Sequence, residues 1–288
     1  MIPWAEIGTA IAQTTKLSFV LRDVRSQGGG CINDTYRITD GNRTFFVKLN
    51  QPSKLAMFEA EAQSLEALGH TQVCRAPRPI TWGVTETHSF LVLEWLNLTR
   101  SGDWAHFGQV LAALHRVTGE RFGWHRDNTI GATPQINTWC DRWSFFWQEN
   151  RLGYQLRLSQ RRGFRCRVPE SEVLAAVPRY FATGDPQPSL VHGDLWSGNV
   201  GFYLGAPVVF DPALYYGDRE VDIAMSELFG GFPTEFYRAY QSAYPLSPGY
   251  QQRKVLYNAY HILNHFNLFG GSYAEQAQEM LQKIAIGP

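Results

Sequence analysis

No apolar run in the 288 residues approaches the roughly 20 needed to cross a membrane. The opening stretch MIPWAEIGTA has neither a basic n-region nor an apolar h-region, so no export signal is expected. There is no surplus of either charge. The 26 Lys and Arg balance 26 Asp and Glu, whereas a dedicated nucleic-acid binder carries a basic excess. Cysteine is scarce, with residues at 31, 74, 140 and 166, and no two form a CxxC pair, which argues against a cysteine zinc site. Without export the four read as reduced thiols in a cytoplasm, and the sequons at Asn33, Asn42 and Asn97 carry no meaning. No internal repeat and no low-complexity tract is present. Membrane and nucleic-acid partners are therefore not expected.

What is present is core-forming material: 44% hydrophobic and 14% aromatic residues, enough for one large or two unequal domains. The first 100 or so residues read as mostly β. Phe19–Val24, Thr35–Thr39 and Thr44–Leu49 are β-branched or aromatic runs broken by QGGG and by the hairpin signal Asp40-Gly41-Asn42. Ala56–Leu68 has a helical pattern closed by Gly69, and Ile80–Val84 and Ser89–Trp95 suggest two further strands. From Asp103, a plausible N-cap, the pattern turns helical: Asp103–Val117, Trp139–Gln160, Ser171–Phe181, Glu220–Leu228, Thr234–Tyr244 and Pro248 to the end. The expectation is an α+β, two-lobed fold. Residues 1–96 form a small, mostly antiparallel lobe with one helix, and residues 97–288 a larger, mostly helical lobe.

The chemistry concentrates in VHGDLWSGN, Val191 to Asn199, a polar loop set between apolar strands. Asp194 and Asn199 have the D-x-x-x-x-N spacing of a kinase catalytic loop. A carboxylate there accepts the proton of a substrate hydroxyl, and a carboxamide oxygen five residues on binds Mg²⁺ without adding charge. Asp211, twelve positions after Asn199 and directly after the apolar Val208-Val209-Phe210, suits a second metal ligand. Upstream, Lys48 lies in TFFVKL, where an ammonium can reach the α/β-phosphates of ATP, and Glu61 on the following helix can pair with it. Gly28, Gly29 and Gly30 lie between the first two strands, where backbone N–H groups can close over phosphate oxygens. Each feature alone is weak, since HxD loops and Gly-rich hairpins are common. Their order is specific: Gly-rich turn, strand Lys, helix Glu, hinge, HxDxxxxN, Asp.

The segments HGDLWSGN, FDPALYYGDREVDIAM and FGWHRDNTIGATPQINTWCDRWSFFWQENRL resemble the fructosamine kinase (ketosamine-3-kinase) family, within the aminoglycoside-phosphotransferase-like superfamily of protein-kinase-like fold. The resemblance runs from the GGGC loop to LFGG at Leu268–Gly271. It implies ATP- and Mg²⁺-dependent phosphorylation of the sugar 3-hydroxyl of ketoamines, free or on a glycated protein, which destabilises the adduct and frees the amine. By motif position it implies Asp194 as catalytic base, Asn199 and Asp211 as metal ligands, Lys48 with Glu61 as the phosphate-positioning pair, and Glu94-Trp95-Leu96 as the adenine-contacting hinge. It also implies a redox role for Cys31, after the three glycines. Exposed near Lys48, that thiol is expected to be reactive, turning a monomer into a Cys31-linked dimer of reduced activity on oxidation. Protein kinases differ. His192-Gly193-Asp194 replaces HRD, Asp211-Pro212-Ala213 replaces DFG, and no APE follows, so there is no room for a peptide-docking activation segment.

The remaining polar candidates have two readings each. Asp218 and Glu220 either bind a cationic ketoamine nitrogen or serve as helix cap and macrodipole partner; for Asp222 the cap and macrodipole role is preferred. Trp196 and Tyr215, with Tyr216, either stack on a sugar or pack in the core. His265 faces either a substrate cleft or the helix bundle; its i, i+4 spacing from His261 suits zinc, but no acidic third ligand is evident. His192 and His115 read as structural. Two rivals remain. One is a sister phosphotransferase acting on an aminoglycoside, a macrolide or a choline-like alcohol. The other is a nucleotide-binding pseudokinase, which the presence of Lys48, Glu61, Asp194, Asn199 and Asp211 together opposes.

Overall fold

A computed structural model describes residues 2–28 and 32–288; Gly29, Gly30 and Cys31 of the Gly-rich turn lie outside the described residues. In chain order the elements begin with helix α1 (Trp4–Thr15), strands β1 (Asp23–Gln27), β2 (Asp34–Thr39) and β3 (Thr44–Asn50), helix α2 (Leu55–His70), and strands β4 (Pro79–Val84) and β5 (Ser89–Glu94). Helix α3 (Trp104–Leu114), strands β6 (Asn128–Ile130) and β7 (Thr133–Gln135), and helices α4 (Trp143–Phe146), α5 (Tyr154–Arg161) and α6 (Glu170–Ala176) follow. Strands β8 (Ser189–Val191), β9 (Val200–Tyr203), β10 (Ala206–Val209) and β11 (Tyr215–Gly217) precede helices α7 (Glu220–Leu228), α8 (Thr234–Ala243), α9 (Tyr250–Phe269) and α10 (Tyr273–Ile286). The chain divides into two compact units, residues 1–102 with 201–211, and residues 103–200 with 212–288.

The first unit is built on an antiparallel sheet in the order β1-β2-β3-β5-β4. Side chains alternate across a strand. Phe45, Val47 and Leu49 of β3 therefore enter a core with Ile38, Phe90 and Val92, while Lys48 projects from the other face. Ile7 and Ile11 of α1 close that core. Each such side chain, fully buried, contributes about 1.5–3 kcal/mol. Helix α1 was not expected from the sequence, which suggested one helix in this region. Its N-cap is Pro3 with no capping side chain, so the usual start signal is missing. The hairpin β9–β10 belongs to this unit, through bridges Thr99–Phe202 and Arg75–Val208, although a division at residue 96 assigns it to the larger lobe.

The second unit is mainly helical. Asp103 caps α3 as expected, its Oδ1 accepting the His106 N–H at 2.8 Å. The single helix expected over Trp139–Gln160 starts only at Trp143 and is interrupted by a π-helical stretch, Trp147–Gly153. That stretch carries Arg151 inward, where its guanidinium is fully buried, donates to the Ile136 carbonyl and to Asn137 Oδ1, and lies 4.0 Å over the Tyr215 ring. Trp143, Phe146 and Trp147 form the core around it. Among the described residues no helix is long and apolar enough to cross a membrane.

Candidate active site

The first unit holds a buried cation between two carboxylates. Lys48 Nζ on β3 lies 2.6 Å from Glu61 Oε1 on α2 and 2.5 Å from Asp211 Oδ1 at the end of the β9–β10 hairpin. Burial opposes the ammonium, but the charges of Asp211 and Glu61 outweigh it and raise the Lys48 pKa. For Glu61, burial wins over the lysine and the carboxyl is pushed up. Glu61 is enclosed, whereas the Asp211 side chain is 46% exposed. Asp211 also has φ +55°, a conformation rare outside glycine and one that concentrates at functional sites. A lysine anchored by Glu61 and sharing its remaining hydrogens with an accessible carboxylate is arranged to take a phosphate oxygen.

The second unit holds the loop with the candidate base. Strand β8 delivers His192, Gly193 and Asp194 into the turn before β9. The Asn199 amide nitrogen donates to the Asp194 carbonyl at 2.8 Å and to its Oδ2 at 3.2 Å, which aims the carboxylate and turns the amide oxygen away from it. His192 is fully buried, and its Nδ1 accepts the Asp194 backbone N–H at 3.3 Å. Gly193 has φ +82°, and a Cβ there would sit 2.1 Å from the Ala213 carbonyl, so no other residue fits.

Asp222 fixes this loop. Its Oδ2 accepts the His192 N–H at 2.7 Å and its Oδ1 the Gly193 N–H at 2.8 Å. His115 Nε2 lies 3.1 Å from the same Oδ2, and His115 Nδ1 lies 2.8 Å from the Tyr240 hydroxyl, which accepts from Arg219. The chain has one consistent polarity: Arg219 donates to Tyr240, Tyr240 to His115, and His115 to Asp222. Burial pushes the Asp222 carboxyl up, but the His115 hydrogen bond and the backbone donors hold it below the usual range. Burial lowers the His115 pKa and keeps the ring neutral, as this polarity requires. Asp222 sits in the first turn of α7, where the expected macrodipole partner belongs, but its oxygens are spent on the His192-Gly193 loop and His115 rather than on capping the helix.

A second polar network explains TPQINTW. Gln135 Nε2 donates to the Ala213 carbonyl at 3.0 Å, and Asn128 Nδ2 to the Leu214 carbonyl at 2.9 Å. The Ala213 N–H in turn donates to the His192 carbonyl at 2.9 Å. The peptide two residues after Asp211 is therefore held on one side by the His192-Gly193-Asp194 loop and on the other by Gln135, itself anchored by the Tyr260 hydroxyl at 2.7 Å.

The sequence profile described as fructosamine kinase matches residues 3–286. The chain belongs to the fructosamine kinase family. A probable ketoamine kinase of Synechocystis is 54% identical over 98% of this chain and 96% of that protein. The chloroplastic protein-ribulosamine 3-kinase of Arabidopsis thaliana is 40% identical over 90% of this chain and 81% of its own. The crystal structure of a putative fructosamine-3-kinase from Haemophilus somnus superposes with a TM-score of 0.93 at 33% identity, covering 98% of this chain and 97% of the other. The aminoglycoside phosphotransferase APH(4)-Ia, in a ternary complex with AMP-PNP and hygromycin B, has a TM-score of 0.65 at 13% identity over 98% of each chain. The fold is the α+β, protein-kinase-like fold of these phosphotransferases.

For a fructosamine kinase, several expected substrate contacts change. Glu220 is 2% exposed and binds the Arg253 guanidinium through both oxygens, at 2.7 and 2.8 Å, a structural ion pair within the helix bundle. Asp218 is 4% exposed, accepts the Glu220 N–H and the Tyr257 hydroxyl, and is pushed up to about 7 by burial and by the charge of Glu220. Neither carboxylate is open to a ligand cation. Tyr215 is also buried, under Arg151 and against Phe146, so it packs the core and cannot stack on a sugar. Trp196 is exposed and His265 half-buried, and Phe229 links their rings. In the hinge, the Glu94 carboxylate is held by Arg75, the Trp95 ring lies beneath Arg37, and the Leu96 carbonyl accepts the Leu98 N–H at 2.9 Å. Gly28 is exposed, with open space where a side chain would stand. Asn199 and Asp211 each offer a hard oxygen donor of the kind Mg²⁺ takes.

Proposed function

We propose that this protein is an ATP- and Mg²⁺-dependent ketoamine 3-kinase, acting on fructosamine or ribulosamine adducts, as small molecules or on glycated protein, and so serving deglycation. The observation that carries the reading is the Asp194 carboxylate aimed by Asn199 in a loop that Asp222 fixes, in a chain of this family that also keeps the Lys48–Glu61–Asp211 cluster. When bound, ATP supplies the γ-phosphoryl group and Mg²⁺ neutralises its phosphate charge. Asp194 would take the proton of the sugar 3-hydroxyl while that oxygen displaces ADP from the γ-phosphorus, leaving the 3-phosphate and ADP. Asn199 holds that carboxylate and, with Asp211, would ligate the metal through its outward amide oxygen. Lys48 holds phosphate oxygens, with Glu61 as its fixed counterion. The Gly28–Gly30 turn and the Glu94–Leu96 backbone would cover the nucleotide.

The names of the curated relatives support a ketoamine over an aminoglycoside, since the resemblance to aminoglycoside phosphotransferases is one of fold. Cys31 oxidation is proposed to link two chains and slow the enzyme; non-reducing gels and activity of wild type and Cys31→Ala check it, and loss of activity in both would remove Cys31 from that role. The working compartment is proposed to be the cytoplasm. The function is tested by incubating the protein with Mg-ATP and a panel of fructosamines, ribulosamines, aminoglycosides and choline. A phosphorylated ketoamine is expected, and turnover of an aminoglycoside or choline alone would reject the reading.

A further inference from the structure

Trp196 lies two residues beyond the base, on the exposed side of the catalytic loop, and is 37% exposed. Its indole folds across Gly198, where a Cβ would come within 2.3 Å of the ring, so the loop sequence itself fixes the indole's direction. In that direction it meets Phe229 at the end of α7, with centroids 6.4 Å apart. Phe229 meets His265 of α9 at 4.8 Å, and His265 meets Phe269 at 5.8 Å and Tyr273 of α10 at 5.1 Å. Phe269, the last residue of α9, is 53% exposed, and Phe229, His265 and Tyr273 are half-buried. Rings from three helix ends thus extend the surface beside the base into an apolar strip.

The strip carries no charge of its own near neutral pH. Burial holds the His265 pKa below its usual value, and its Nδ1 lies 2.8 Å from the carbonyl of His261 one turn earlier. Asp218 and Glu220, the carboxylates considered for gripping a ligand cation, are closed inside the bundle by Tyr257 and Arg253. Recognition beyond the sugar therefore falls to aromatic surface. A ketoamine has the matching chemistry: a polar sugar at one end and, on the amine nitrogen, an arm whose length and polarity vary with the amine.

We infer that the strip Trp196–Phe229–His265–Phe269, flanked by Tyr273, is a specificity subsite for an aliphatic or aromatic arm on the ketoamine nitrogen. The inference rests on the ketoamine kinase reading and extends it. Arms that lie along the strip bury apolar surface and tighten binding, and those too short to reach Phe229 do not. Trp196 nearest the base can also face the ammonium itself.

The test compares two substrates with the same sugar and the same charge, N-methyl- and N-hexyl-fructosamine. Wild type is expected to show a KM at least about ten-fold lower for the hexyl compound. Phe229→Ala and Phe269→Ser are expected to cut that ratio by about three-fold or more, with Phe269→Leu restoring most of it. Leu17→Ser, an exposed apolar site on the other unit, should leave the ratio as in wild type. Phe269 is exposed enough for its loss to leave the fold intact, so it decides the matter if the Phe229 variant is insoluble. Equal KM values for the two compounds in wild type, or an unchanged ratio in Phe269→Ser, overturn the subsite while leaving the kinase reading standing. Failure of wild type to phosphorylate either compound overturns both.

Discussion

Replacing Asp222 by Asn removes one charge and leaves the side chain's size and shape almost unchanged, yet it should be among the most damaging single changes in the second unit. The carboxylate accepts three hydrogen bonds, two from backbone N–H groups and one from His115, and it is 1% exposed. An amide offers one acceptor oxygen. In its better orientation the oxygen keeps His192 N–H and His115, and the amide nitrogen is then aimed at the Gly193 N–H, donor against donor. An unsatisfied buried donor costs about 1–3 kcal/mol and a lost hydrogen bond to a charged group about 1.5–3 kcal/mol, so the substitution should cost about 3–5 kcal/mol. Gly193 has no freedom to turn away, because it is wedged against the Ala213 carbonyl. The strain therefore passes to Asp194, and a misplaced base costs on the order of 10²-fold in kcat. Urea unfolding and steady-state kinetics of Asp222→Asn measure the two effects. A variant that unfolds within about 1 kcal/mol of wild type and turns over at the wild-type rate refutes the assignment of Asp222 to the loop.

Lys48→Met should cripple phosphoryl transfer, and Glu61→Ala should do so more mildly, since the ammonium remains but loses its fixed partner; the comparison is read as kcat/KM for ATP, and a fully active Lys48→Met contradicts it. Asp218 holds its proton more tightly folded than unfolded, with a pKa raised from 3.8 to about 7. Its contribution to stability is complete below about pH 4 and is lost as pH rises to about 7. Asp218→Asn should therefore flatten the dependence of Tm on pH across that window, and an unaltered slope contradicts the assignment.

The pairing of Lys48 with Glu61 and the placing of Asp194 with Asn199 in one loop were legible because each part is set by local sequence: a lysine on a patterned strand, a glutamate on a patterned helix, and DLWSGN between apolar strands. The N-terminal sheet was legible for the same reason, through β-branched runs and the Asp40-Gly41-Asn42 turn. What was not legible depends on distant partners. Asp222 has a sufficient local explanation as a first-turn acid of α7, and its true partners lie 29 and 30 positions away. Glu220 and Asp218 look available until Arg253 and Tyr257 are brought to them from α9. Tyr215 and Tyr216 are neighbours in sequence, but strand alternation sends only the first into the core under Arg151. The break in the Trp139–Gln160 helix coincides with the buried Arg151, which no periodicity announces.

The central claim is that Asp194 is the base of a ketoamine kinase, and one measurement bears on it most directly: ³¹P-detected turnover of a fructosamine by wild type and Asp194→Asn, with ATP affinity measured alongside. The variant should fold and bind ATP as wild type does while kcat falls by about 10²–10⁴-fold. Turnover by Asp194→Asn at the wild-type rate would contradict the account.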